Sequence, residues 1–194
     1  AEKYGEDVIE GGGLKITTTL DLDLQKQAEE IVAEEIEKDE AKKITNGAAL
    51  ILDPTTGQVL AMVGSRDYWS DKTDGNFNVV TQGLRQPGSS IKPVTYLTAI
   101  KIGWTAATMI MDAPVTFPGT GGQKDYSPQN YNGKYNGPMG LRDALGNSIN
   151  TTAVKTLAFV GVESMLQQAY EMGLSTLEPT KENLSRFGLA VTLG

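Results

Sequence analysis

Histidine and cysteine are both absent from this 194-residue sequence. Without imidazole there is no Ser-His-Asp triad, and without a thiol there is no cysteine nucleophile, no disulfide and no Cys/His zinc site. No stretch has the spacing of an acidic calcium loop, so an all-oxygen site for a hard cation is not indicated either, and no cofactor is expected. Positive charge is scarce: 17 Lys+Arg against 24 Asp+Glu leave a net charge of -7, which offers no electrostatic footprint for nucleic acid. Long hydrophobic runs are missing too. No segment approaches the roughly 20 apolar residues of a membrane span, and the first residues lack the basic-then-apolar pattern of a secretory signal.

What remains is a length suited to one domain with a sizeable core, or one domain plus an accessory segment. If the chain uses a serine as nucleophile, its base must be a lysine, a tyrosine, a carboxylate or a water held by one of them.

The near-alternation and threonines of Leu14 to Leu20 predict a strand. Asp21 or Asp23 then offers an N-cap, and Leu24, Ala28, Ile31, Val32 and Ile36 form one stripe of an amphipathic helix expected from Leu22 to Glu40. Two apolar runs around Asp53-Pro54-Thr55-Thr56-Gly57 predict a hairpin over Ala48 to Leu52 and Gln58 to Val63, whose strands need cover on both faces. A polar loop over residues 65–88 leads to "RQPGSSIKP" and a helix expected from Ser90 to Ile102, stopped by Gly103. Pro93 must lie in its first turn and biases Lys92 away from helical angles. A loop-rich stretch follows over residues 113–140, ordered in this reading by Tyr126, Tyr131 and Tyr135. Helices are then expected near Leu141 to Ser148, Thr151 to Phe159 and Glu163 to Met172.

Ser89 and Lys92 stand three apart, so on a helix their side chains face the same way. A chain of this length should contain about half a Ser-x-x-Lys match by chance, and the plain reading is a capping serine with a solvated lysine. The entry through Pro87 and Gly88 favours more, because it sets Ser89 at a helix start where free N–H groups stabilise a developing oxyanion. A lysine base active near neutrality needs its pKa brought from about 10.4 to about 7 or 8. At 1.36 kcal/mol per unit that is about 3 to 5 kcal/mol of differential environment, attainable only in a packed site. A second element, "LRDALGNSINTTAVK", sets Ser148 and Asn150 at a break between two helical stretches. They read either as a helix cap or as a proton-relaying hydroxyl beside a substrate-holding amide.

Together these segments resemble the transpeptidase domain of class A, bifunctional penicillin-binding proteins. "LKITTTLDLDLQ" is similar to the connector that precedes that domain, "GAALILDPTTGQVLAMVGS" to its first hairpin, "FNVVTQGLRQPGSSIKP" to its active-site serine segment and "GLRDALGNSINTTAVK" to its Ser-x-Asn motif. The resemblance implies an α+β penicillin-binding fold, an antiparallel sheet with helices on both faces. It implies residues 1–46 as connector strand and helix, and residues 47–194 as the first part of the domain. It also implies Ser89 as the acylated nucleophile, Lys92 as its base, Ser148 as proton relay and Asn150 as substrate contact. The implied reaction is D,D-transpeptidation of peptidoglycan stem peptides ending in D-Ala-D-Ala, with β-lactams acylating the same serine. The implied location is the extracytoplasmic face of a bacterial membrane, reached through a region that is not in this sequence. The family's third motif, Lys-Thr-Gly, does not follow Asn150, since Leu157 breaks the triplet begun by Lys155 and Thr156. The sheet is therefore expected to be incomplete, the partner to be the C-terminal remainder of the domain, on the same or a separate chain, and these residues alone to be inactive. Two other readings keep the same residues: a β-lactam hydrolase or sensor, and a non-catalytic wall-binding or scaffold module of the same fold.

Overall fold

The computed structural model describes residues 11–119 and 124–194. The first ten residues of the expected connector, and residues 120–123 of the long loop, lie outside the described residues. The chain divides between Arg85 and Gln86 into two compact units.

In the first unit, Asp21 caps helix α1, Leu22–Lys38, by accepting from the N–H groups of Asp23 (3.1 Å) and Leu24 (3.0 Å). Ala28 and Ile36 are buried, and Leu24 and Val32 pack beside Ala28 against Ala49, Ile51, Ala61 and Val63. Ile31 is exposed. At 100° per residue it sits roughly 80° from the centre of the row 24, 28, 32, 36, so it falls at the margin of the stripe and not within it. The hairpin forms as expected: β1, Ala49–Leu52, pairs antiparallel with β2, Val59–Val63. Asp53 holds its turn by accepting from Thr55 N (2.8 Å), Thr55 Oγ1 (2.7 Å) and Thr56 Oγ1 (2.8 Å), and Gly57 supplies the positive φ of 73° that the turn requires.

Leu14 to Leu20 form no ladder. Leu14, Ile16 and Leu20 are exposed, so their alternation buries nothing; Thr19 Oγ1 donates to Val59 O of β2, and Asp21 N, just after the segment, donates to Leu60 O. The next ladder position on β2 is filled by a side chain. Gln25 of α1 accepts from Met62 N (2.8 Å) and donates to Met62 O (3.1 Å), as a neighbouring strand would, and so closes part of an edge that would otherwise invite pairing. The other face of β1, carrying Leu50 and Leu52, is exposed. Asn78 caps a short helix, α2, Val79–Gln82, inside the stretch expected to be loop.

The second unit is built on α3, Lys92–Lys101, and α5, Asn150–Val160, packed on α6, Val162–Glu171. Ile91, Val94, Ala99, Leu157, Val160, Met165, Leu166 and Ala169 make its core. Each large side chain among them contributes about 1.5–3 kcal/mol by leaving water. A second cluster joins Tyr96 and Ala153 to Leu141 and Ala144 of α4, Leu141–Gly146. The long stretch after α3 holds a hairpin that the sequence reading missed. β3, Met109–Asp112, pairs antiparallel with β4, Gly137–Gly140, burying Ile110 and Asp112 and exposing Met109 and Met111. After α6 come a 3-10 turn at Ser175–Leu177, helix α7, Lys181–Arg186, and a 3-10 turn at Leu189–Leu193. Leu189 and Val191 of that last turn join the main core, and Thr192 Oγ1 lies 2.7 Å from Thr95 Oγ1 of α3.

Candidate active site

The serine segment enters through Pro87 (φ -72°, ψ -16°) and Gly88, whose φ of 55° favours glycine. It continues as a 3-10 turn, Gly88–Ile91, that runs directly into α3. Lys92 itself has helical angles (φ -54°, ψ -38°), so the bias imposed by Pro93 does not expel it, and the irregularity falls one turn earlier. That irregularity has a use. Side chains three apart eclipse more closely in a 3-10 turn than in an α-helix, and the turn places Ser89 three residues before Lys92, the first residue of α3. Neither Ser89 nor Ser90 caps the turn or α3 with its side chain; Ser90 Oγ instead donates to Pro87 O at 2.6 Å. Ser89 is exposed, and among the described residues its hydroxyl has no hydrogen-bond partner. The backbone of Gly194 lies so close behind that a Cβ there would meet the backbone of Gly88.

Lys92 is fully buried. Its Nζ donates to Ser148 O (2.6 Å), Ser148 Oγ (3.0 Å) and Asn150 Oδ1 (2.7 Å), all neutral acceptors. Burial pushes its pKa below the ordinary lysine value, in the direction a general base requires.

Ser148 does not cap α5. It follows α4 with φ 52°, the left-handed position that glycine usually takes after a helix, and its N–H closes on Leu145 O at 2.9 Å. The first N–H groups of α5 are instead taken by a residue far away in sequence: Asn130 Oδ1 accepts from Asn150 N (3.0 Å) and Thr151 N (3.2 Å). The Asn150 amide is oriented on both sides. Its Nδ2 donates to Gln129 O (2.9 Å), which leaves Oδ1 for Lys92. One N–H and one lone pair of that amide remain for a ligand.

The sequence comparisons bear on this arrangement. The penicillin binding protein transpeptidase domain matches residues 47–189. The chain belongs to the penicillin-binding protein transpeptidase family. Relatives include penicillin-binding protein 2D of Bacillus subtilis, 39% identical over 168 residues, covering 86% of this chain and 23% of that protein. Penicillin-binding protein 1A of Neisseria flavescens is 42% identical over 136 residues, covering 70% of this chain and 16% of that protein. The chain thus spans less than a quarter of the length of these relatives. Among solved structures, penicillin-binding protein 1A from Haemophilus influenzae superposes with a TM-score of 0.65 at 32% identity over 77% of this chain and 21% of that one. PonA1 from Mycobacterium tuberculosis in complex with penicillin V shares the fold, with a TM-score of 0.76 at 22% identity over 98% of this chain and 49% of that one. The α+β fold and its antiparallel pairing agree with the sequence reading, and the two separate two-stranded sheets leave the penicillin-binding protein fold incomplete.

Of the four residues picked out by sequence, this penicillin-binding protein segment joins Lys92, Ser148 and Asn150 by direct hydrogen bonds, and sets Ser89 in the 3-10 turn that leads into Lys92. Asp112, Gln129, Asn130 and Thr151 were missed. The signal available was the pair of asparagines, Asn130 and Asn136, in a loop whose order was credited to tyrosines. Tyr131 is fully exposed and Tyr135 partly so, whereas Asn130 is buried and hydrogen-bonded throughout.

Proposed function

We propose that the chain supplies the nucleophile half of a peptidoglycan D,D-transpeptidase site. The observation that carries this reading is the buried Lys92, held by Ser148 and Asn150, one 3-10 turn from an exposed and unengaged serine hydroxyl. Ser89 Oγ attacks the carbonyl carbon of the D-Ala-D-Ala peptide bond while neutral Lys92 Nζ takes the hydroxyl proton. The tetrahedral intermediate expels the terminal D-alanine, whose amine receives a proton returned from Lys92 through Ser148 Oγ. An acceptor amine on a neighbouring stem then attacks the Ser89 ester, forming the cross-link and restoring the serine hydroxyl with the proton that the amine loses. A β-lactam opens on the same oxygen and stays attached as an ester.

Ser89 N–H, at the start of the turn, provides one oxyanion donor in this reading. The second donor, and the wall opposite Ser89, come from a Lys-Thr-Gly element outside these 194 residues, and residues 1–46 act as the connector leading into the domain. The exposed face with Leu50 and Leu52 is where further elements of the domain pack. Among the described residues no helix is long and apolar enough to cross a membrane, and the extracytoplasmic placement is part of the same proposal.

Intact-mass analysis after incubation with a penicillin tests it, on the chain alone, on the chain joined by its downstream remainder, and with Ser89→Ala. An adduct that needs the remainder and vanishes in Ser89→Ala supports serine acyl transfer on a composite site. No adduct on the completed domain removes Lys92 as a working base and favours a wall-binding module of the same fold. Rapid loss of an adduct once formed points to a hydrolase.

A further inference from the structure

Asp112 ends β3 with its carboxylate fully buried. Its oxygens accept four hydrogen bonds. Oδ1 takes Thr151 Oγ1 and Asn130 Nδ2 (2.8 Å), and Oδ2 takes Asn136 N (2.8 Å) and Nδ2 (2.7 Å). Burial alone would raise its pKa, but the donors of Thr151, Asn130 and Asn136 outweigh burial and hold it below the ordinary carboxylate value. A buried carboxylate is costly unless every lone pair is met, so this one sets the orientation of each group that meets it.

The consequence runs along a continuous set of bonds. Asn130 cannot flip its amide, because Nδ2 faces two acceptors, Asp112 Oδ1 and Lys134 O (2.8 Å). Its Oδ1 therefore faces the N–H groups of Asn150 and Thr151. One residue earlier, Gln129 O orients the Asn150 side chain towards Lys92. Thr151 ties the same first turn of α5 back to Asp112 through its hydroxyl. The backbone and side chain of Asn150 are thus both fixed by the Gln129–Asn130 pair, and that pair is fixed by Asp112.

We propose that Asp112, acting through Asn130 and Thr151, is a positioning residue for acylation, holding the first turn of α5 so that Asn150 presents its acceptor to Lys92. This rests on the reading of Ser89 and Lys92 as the acylating pair. A displacement of about 1 Å in such a group costs on the order of 10²-fold in rate.

The test uses the full-length protein that carries this segment, with benzylpenicillin as probe. The time course of adduct formation over a range of concentrations yields the acylation rate constant, the affinity of the preceding complex and the fraction of sites that react. In Asp112→Asn, one amide nitrogen faces donors that need an acceptor. In Thr151→Val, the hydroxyl is lost at nearly constant shape, and Thr151→Ser restores it. Expected is a fall of about 10- to 100-fold in the rate constant for Asp112→Asn and Thr151→Val, affinity changed by less than threefold, and recovery in Thr151→Ser. A merely structural role reduces the fraction of reactive sites and the melting temperature but leaves the rate constant of the folded fraction alone. That result in Thr151→Val, the milder variant, overturns the proposal even where Asp112→Asn does not fold. A wild-type protein that forms no adduct at Ser89 overturns the acylation reading, and this one with it.

Discussion

Replacing Ser148 by glycine and by alanine separates its two roles. Both variants lose the Oγ that accepts from Lys92 at 3.0 Å, so they share the loss of one hydrogen bond, about 0.5–1.5 kcal/mol. They differ in the backbone. At φ 52° an L side chain costs about 1–2 kcal/mol, which alanine retains and glycine escapes. Glycine in turn loses about 0.5–1 kcal/mol through the entropy of its unfolded chain. Ser148→Gly is therefore expected to be more stable than Ser148→Ala by up to about 1.5 kcal/mol, centred on about 0.75. For a chain of this length the central value corresponds to roughly 1.5–3 °C in melting temperature. At an ordinary position with negative φ the order is reversed. In acylation the two variants behave alike, both slower than wild type by about 10²-fold or more if the hydroxyl relays the proton. Thermal melts and penicillin-adduct kinetics on the pair decide the matter. Alanine melting above glycine would refute the left-handed turn, and wild-type acylation in either variant would refute the relay.

Other consequences follow from the same geometry. Because burial lowers the Lys92 pKa, the unfolded chain binds more protons between that value and about 10.4, so Lys92 makes stability rise with pH across this window. Lys92→Met should flatten that slope and abolish the adduct, and the wild-type acylation rate should climb with an apparent pKa below that of free lysine; a pH-independent rate would exclude Lys92 as the base. Asp112 has the same sign in a lower window: its stabilisation is present above about 3.9 and lost as pH falls through its lower folded value, so acid titration should show a larger loss of stability in wild type than in Asp112→Asn. Gly194→Ala sets a Cβ against the Gly88 backbone at φ 93°, and should slow acylation by displacing the serine turn while leaving the α5 end of the site in place; unchanged kinetics would show that the turn accommodates it.

Much of this was legible in the sequence because the signals were local. Asp21 with its apolar row, the Asp53-Pro54 turn and the helices after Leu141 are each specified within a few residues, and the structure shifts their ends by one or two positions. The Ser-x-x-Lys and Ser-x-Asn segments stood out for the same reason. The β3–β4 hairpin did not, since Met109–Asp112 is too short to show a period and its partner, Gly137–Gly140, carries two glycines and a proline. Asp112 and Asn130 escaped because their meaning lies in partners 18 to 39 positions away. Leu14–Leu20 misled in the other direction, since its alternation is a property of the segment and a ladder is a property of two.

Ser89 is the one member of the candidate site that the fold does not use. Lys92, Ser148 and Asn150 hold one another in place, and each is also a structural contact, whereas the serine hydroxyl bonds to nothing among the described residues. If acyl transfer runs through Ser89 as proposed, natural selection can discard the chemistry and keep the architecture in a single step. A lineage that changes Ser89 would inherit a well-formed, inert recognition surface, while one that changes Lys92 would first have to repair its fold. Inactive descendants of such a domain should accordingly have lost the serine far more often than the lysine.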